Sequence, residues 1–313
     1  MRRLELLWRG LAVVYASEAG RKAAERLSSS LKGAVPSVLF GYKELDSAWG
    51  CYDAYVFIMA IGGTVRALCR RLKDKELDPP VVAASHDLRY FIPLVGMHRG
   101  ANELARELAE LVGGVVVETT AAEAAGFAPV EDVERALLCE LSEEDRLEVY
   151  RRLLSGGEVC IDADLPFNFT GYRIGSGCEV TIRVGCEGPM CCRPLRLYAG
   201  FGATSRATPE EIAEAIAATL RQIGAKGVEA VASIRDEVYA VARILGAKPV
   251  KLSPEQLAED ICLSPPSKKA LEAKGVANVA EASALAAAGP GAKLVYRKRA
   301  FGGKVTVAVA AKA

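Results

Sequence analysis

Three short loops concentrate the residue types that could do chemistry. Gly62-Gly63-Thr64-Val65-Arg66 follows an apolar run and opens a helical pattern. Backbone N–H groups there would favour an anionic oxygen, with Arg66 one turn further on; a plain tight turn with a surface arginine fits the same residues. Gly96-Met97-His98-Arg99-Gly100-Ala101-Asn102-Glu103 sets one of only two histidines at a helix start, with Asn102 four residues on and hence on the same face. An imidazole in that place serves either as a general base or as a structural hydrogen-bond partner. Thr119-Thr120 closes a strand-like run, where open α/β sheets gather ligands, although threonines there can equally cap a helix. Cys178, Cys186, Cys191 and Cys192 are the densest soft-ligand group. No two cysteines sit three apart, so the usual zinc pattern is absent and the expectation is buried, reduced thiols.

Other familiar sites are missing. There is no Walker A loop, no Gly-x-Ser-x-Gly elbow and no His-Glu-x-x-His. Gly200-Phe201-Gly202 lacks the third glycine of a dinucleotide fingerprint, because position 205 is serine.

The elements that must carry these loops alternate. Leu11–Tyr15 and Ser37–Phe40 read as short strands around a helix through Arg21, Ala24 and Leu27; Ala54–Ile61 is apolar on both faces, as a central parallel strand should be. Val81–Ala84 and Tyr90–Pro93 flank the turn-like Ser85-His86-Asp87 and predict a hairpin. Asn102–Leu111 is an amphipathic helix and Val115–Glu118 the next strand. Residues 121–194 combine an acidic helical stretch, Val130 to Leu154, with short Gly-rich strands. From Leu195 the alternation returns, with Thr208 and Glu211 as a capping box and Val238–Leu245 as a helix. The expected fold class is α/β: two doubly wound α/β domains (1–120 and 195–313) joined by a small α+β middle domain (121–194).

Composition narrows the partners. The chain has 313 residues, 51% hydrophobic and 25% charged, with a net charge of +1. A nucleic-acid binder would be far more basic, so nucleic acid is not expected, while a small anionic ligand held by a local basic patch is compatible. The longest uncharged run, Ala54 to Val65, is shorter than the roughly 18 residues of a membrane span. Arg2 and Arg3 precede apolar residues as in an export signal, but Glu5 and Arg9 interrupt them; the expectation is a cytoplasmic protein.

At the loops above, the sequence resembles the CbiG family, the cobalt-precorrin-5A hydrolases of anaerobic cobalamin (vitamin B12) biosynthesis. Members typically read Gly-x-x-x-Arg after the strand, then Lys-Asp-Lys-x-x-Asp-Pro, Ser-Gly-His-x-Gly-Gly-Ala-Asn-Glu-Leu-Ala and Thr-Thr-Ala-x-Asp. The matching residues are Gly62 and Arg66; Lys73-Asp74-Lys75 with Asp78-Pro79; Gly96, His98, Gly100 and Ala101-Asn102-Glu103-Leu104-Ala105; and Thr119-Thr120-Ala121. The resemblance covers roughly residues 50–123 and resumes from Leu195, closing on Phe301-Gly302-Gly303-Lys304-Val305-Thr306-Val307-Ala308. Two segments depart from it: Gly200-Phe201-Gly202-Ala203-Thr204 lacks the family's Cys and Arg, and Ile234-Arg235-Asp236-Glu237 is shortened.

The resemblance implies a hydrolase that opens the δ-lactone of a cobalt corrinoid and releases acetaldehyde. It implies a polycarboxylate substrate that brings its own cobalt, so no cofactor and no protein metal site are expected, and handover to other enzymes of the pathway. Lactone hydrolysis needs an activated water and a stabilised oxyanion. On this reading His98 is the base, with Glu103 as the second candidate; Asn102 or the N–H groups of Gly62–Thr64 serve the oxyanion. Gly62, Gly63, Thr64, Arg66, Lys75, Arg99, Thr119 and Thr120 bind substrate. Two other readings stay open: a corrinoid carrier without catalysis, and a metal or redox protein built on the cysteine group.

Overall fold

A computed structural model of the chain describes residues 3–73, 78–117, 127–165, 168–258, 262, 264 and 278–313. It divides into two units, Met1–Pro194 and Leu195–Ala313. No helix among the described residues is long and apolar enough to cross a membrane.

The first unit begins with α1 (Arg3–Leu6), β1 (Leu11–Tyr15), α2 (Glu18–Ser30), β2 (Ser37–Gly41), β3 (Ala54–Ile58) and α3 (Ile61–Leu68). It continues with β4 (Val81–Ala84), β5 (Tyr90–Val95), α4 (Ala101–Val112) and β6 (Val115–Val116). The six strands form one sheet in the order β2-β1-β3-β4-β5-β6. β1 to β4 are mutually parallel; β5 turns back antiparallel to β4, and β6 runs parallel to β5. β3 is central and buried at all five positions, which is why its sequence shows no polar alternation. Val13, Val56, Ile58 and Val82 face Leu27 of α2 and Leu104 and Leu108 of α4 across one core. The chain steps from β1 to β2 in one direction and from β3 to β4 in the other. Right-handed crossovers therefore set α2 and α3 on opposite faces, with a crevice between the ends of β1 and β3. The expected hairpin is present; of the expected strand Val115–Glu118, Val115–Val116 pair and Glu118 lies outside the described residues.

The rest of this unit comprises α5 (Val130–Leu137), β7 (Cys139–Glu140), α6 (Glu143–Leu154), β8 (Val159–Asp162), β9 (Tyr172–Ile174), β10 (Val180–Val184) and β11 (Cys191–Pro194). Its sheet has the order β7-β11-β10-β8-β9. The acidic helical stretch is not continuous: it breaks at Leu138, which takes a left-handed conformation (φ 51°) and ends α5. The cysteines also correct the expectation of reduced thiols. Cys139 pairs with Cys192, Cys160 with Cys178 and Cys186 with Cys191, all as disulfides. Cys69 is free and exposed. Cys186 and Cys191 are five residues apart, but the other partners are distant in sequence: Cys139 lies on the strand paired with the one that carries Cys192.

The second unit runs β12 (Arg196–Ala203), α7 (Pro209–Gln222), β13 (Ala230–Ser233), α8 (Val238–Leu245), β14 (Lys248–Lys251), α9 (Val279–Ala288), β15 (Lys293–Phe301) and β16 (Val305–Lys312). Its sheet is ordered β14-β13-β12-β16-β15, with β12, β13 and β14 parallel, β16 antiparallel to β12, and β15 antiparallel to β16. The Thr208–Glu211 capping box forms in both directions, at 3.0 and 3.2 Å. Gly200 serves packing: a Cβ there would overlap the Ala280 carbonyl of α9. In the shortened segment Arg235 pairs with Glu237 and donates to the Ala203 carbonyl.

Candidate functional site

The three loops do not converge. β3 pairs Ile58 with Ala84, and β5 pairs Phe91 with Ala84 and Val95 with Val81. The Gly62 loop therefore leaves the sheet at the Ala84 end, whereas the His98 loop leaves at the Val81 end. The length of β4 alone separates them by about 10 Å, far beyond the 3–3.5 Å or so at which groups act on one reacting bond. The N–H groups of Gly62–Thr64 are therefore too far to serve the oxyanion of a reaction at His98, which leaves Asn102 of the two alternatives given above.

At the first edge, Ala60 caps α3 and its carbonyl accepts from the N–H of Gly63 (2.9 Å) and of Thr64 (3.0 Å). Thr64 is fully buried and its hydroxyl donates to the same carbonyl at 3.3 Å, so both its polar groups are spent inside the helix. Gly62 and Arg66 are exposed. Across the crevice Ser17 caps α2, its hydroxyl accepting from the Gly20 N–H at 3.1 Å. Gly20 is in close approach, since a Cβ there would lie 2.8 Å from the Ile58 carbonyl oxygen. Two helix N-termini thus meet at the switch point, the place where open α/β sheets bind ligands. Ser17 escaped the sequence reading, although a serine after an apolar run and before a helix is a cap signal.

At the second edge, a 3₁₀ turn (Met97–Arg99) sits between Gly96 and Gly100, both left-handed at φ 73° and 84°. His98 is its middle residue; the structure describes its backbone. Asn102 is buried in the first turn of α4. Glu103 is half-exposed and stands 3.6 Å from Arg106. Glu103 also borders a cavity of roughly 180 Å³, with Glu107, Arg3 and Asp132 and an apolar wall of Leu6, Phe127 and Phe169. Arg99 does not reach out for a ligand. Its guanidinium pairs with Glu131 at 3.2 Å and donates to the Asp78 carbonyl at 3.0 Å, so the charge expected to bind substrate is engaged within the fold. Lys75, Thr119 and Thr120 lie outside the described residues.

Behind this turn is a chain of buried charges, joining the start of the expected acidic helical stretch to Arg3 and Asp53. Arg3 bonds Asp132, Asp132 bonds Arg135 at 2.8 Å, and Arg135 bonds Asp53 at 3.0 Å. Burial opposes ionisation of Glu131, yet Arg99 and the Tyr150 hydroxyl outweigh it and hold the carboxyl below its usual range. At Asp132 burial prevails over Arg3 and Arg135 and raises the carboxyl. At Glu134 burial prevails over Arg146 and pushes it up to about 7. A signal was available: Asp53 directly precedes the all-apolar β3, and a charge in that place needs a partner.

Cys178, Cys186, Cys191 and Cys192 each belong to a disulfide, so as paired they offer no thiolate to a metal and the reading of that group as a metal centre fails. Among the described residues no group of three or more His, Cys, Asp or Glu could hold a metal ion.

An open, mainly parallel sheet with a loop of interest at each end of its strands, followed by a second α/β unit, defines a two-part α/β protein. Residues 43–123 match the family described as cobalamin synthesis G N-terminal, and residues 197–310 match cobalamin synthesis G C-terminus. A solved cobalamin biosynthesis protein G homologue from Sulfolobus solfataricus is 32% identical and superposes with a TM-score of 0.82 over 98% of this chain and 99% of its own. The chain belongs to the cobalamin biosynthesis protein G (CbiG) family. A cobalt-precorrin-5A hydrolase of Priestia megaterium is 26% identical over 91% of this chain and 83% of its own length. That of Salmonella typhimurium is 41% identical over 24% of this chain and 21% of its own.

Proposed function

We propose that this chain is a hydrolase of anaerobic cobalamin biosynthesis that opens the δ-lactone of cobalt-precorrin-5A, giving cobalt-precorrin-5B and acetaldehyde. The observation that carries the proposal is its alignment, along nearly its whole length, with a relative of that name. The cobalt arrives within the substrate, and the product passes to other enzymes of the pathway.

The geometry favours the Gly96–Glu103 edge for the reaction. That edge brings together a histidine, a half-exposed carboxylate (Glu103), a buried amide (Asn102) and the N-terminal turn of α4, which favours negative charge. His98 takes the proton from water as that water adds to the lactone carbonyl, and Asn102 donates to the oxyanion. Collapse of the adduct breaks the ring C–O bond to leave a carboxylate and an alkoxide. The alkoxide becomes the carbonyl of acetaldehyde as its C–C bond to the macrocycle breaks, that electron pair and a proton staying with the macrocycle. Glu103 is the second candidate base. Gly62 and Arg66, at the opposite edge, hold a substrate carboxylate remote from the reacting bond.

The switch-point crevice supports one other reading, a corrinoid carrier without catalysis, because ligand-type loops meet there without His98. Incubating the purified chain with cobalt-precorrin-5A separates the two. Stoichiometric acetaldehyde supports the hydrolase; tight binding, seen in the corrinoid absorbance, with no acetaldehyde refutes it in favour of the carrier.

A further inference from the structure

We propose that Glu131, Arg99 and Arg3 are positioning residues that clamp the Gly96–Gly100 turn, so that helix α5 sets the geometry of the reaction edge; this rests on the hydrolase reading above.

The turn is gripped from two sides. Arg99 points back to α5, to the Glu131 carboxylate, and also donates to the Asp78 carbonyl just before β4. Glu131 is itself held by the Tyr150 hydroxyl of α6. On the other side the Arg3 guanidinium donates to the Arg99 carbonyl and to Asp132 of α5. It also lies flat against Gly100: a Cβ there would come within 2.5 Å of it. Only glycine admits that contact, and only glycine takes φ 84° without strain. Both contacts fall on residues 99 and 100, directly after residue 98.

Carboxylate–guanidinium pairs that are this buried lose several times more when one partner is removed than a surface pair does. Here both acids come from α5 and both bases hold the turn, so a change in α5 reaches the turn through two rigid links. A misplacement of about 1 Å at a catalytic group costs up to about 100-fold in rate. An arginine gives the Arg99 carbonyl, Asp132 and Gly100 a planar fork at once; a lysine cannot.

The test compares Glu131→Gln and Arg3→Lys with Glu134→Gln, which perturbs the same helix at its bond to Arg146 and away from the turn. Two readouts are used on the full chain: amide hydrogen exchange of residues 100–104, and kcat and KM for acetaldehyde release. Glu131→Gln and Arg3→Lys are expected to speed exchange at the turn at least 10-fold. They should lower kcat by roughly 10- to 100-fold with KM within about twofold; Glu134→Gln should change neither. Equal exchange and equal kcat in all three variants overturns the clamp, as does a loss of activity that follows melting temperature alone across the three. If the wild-type chain releases no acetaldehyde, the hydrolase reading falls; the exchange comparison still decides the clamp.

Discussion

Removing the Cys139–Cys192 disulfide should destabilise the first unit markedly. The bond closes a span of 53 residues and ties β7, which directly follows α5, to its neighbouring strand β11, the last strand of the unit. Chain-entropy arguments assign a loop of that length about 4 kcal/mol. A unit of 194 residues unfolds with an entropy near 0.4 kcal/mol per kelvin, so the loss corresponds to a fall in Tm of about 10 °C. The double variant Cys139→Ser, Cys192→Ser and the wild type would be compared by calorimetry, with and without a dithiol reductant. Alkylation and mass mapping would follow the thiols. In the wild type, Cys139 and Cys192 should resist labelling until reduction, while Cys69 labels at once. The lower Tm should appear in the reduced wild type and in the oxidised variant alike. Full labelling of Cys139 and Cys192 in the natively purified chain, or an unchanged Tm in the double variant, would refute the reasoning.

Three further outcomes follow from particular contacts. A carboxyl raised to about 7 in the fold, as at Glu134, contributes stability that is complete below pH 4.5 and lost as pH rises through 7. That displacement is worth about 3 kcal/mol, so the Tm of the wild type should fall relative to Glu134→Gln between pH 5 and pH 8. A constant difference across that range would contradict the assignment. Gly100→Ala combines a left-handed backbone with a clash on the Arg3 guanidinium; chemical denaturation should show a loss of at least about 1–3 kcal/mol. Arg66→Met removes a charge-assisted contact of about 1.5–3 kcal/mol, raising KM for the corrinoid roughly 10- to 100-fold with kcat retained. A fall in kcat at saturating substrate would instead place Arg66 at the reacting bond.

Much of this architecture is legible in local residue patterns. The unbroken apolar run of β3, the Thr208–Glu211 box and the α8 pattern each announce their element, because backbone and burial requirements agree there. What short-range patterns miss depends on chain direction and long-range pairing. The hairpin of β4 and β5 is readable, and its antiparallel return delivers the next loop to the opposite end of the strands, which separates His98 from Gly62. Arg99 looks like a ligand-binding arginine in the motif, and only the arrival of Glu131 from α5, more than thirty residues later, turns it inward. The disulfides escaped for the same reason, since Cys139 and Cys192 meet through strand register.

The central claim is that the reacting bond lies at the Gly96–Glu103 edge, with His98 as the base. It is tested most directly by acetaldehyde release from saturating cobalt-precorrin-5A, measured for wild type and His98→Ala with corrinoid binding followed by absorbance on the same samples. The account predicts near-normal binding and a turnover lowered by roughly 10²–10⁴-fold, the usual worth of a general base. A folded His98→Ala protein that releases acetaldehyde at the wild-type rate would contradict it.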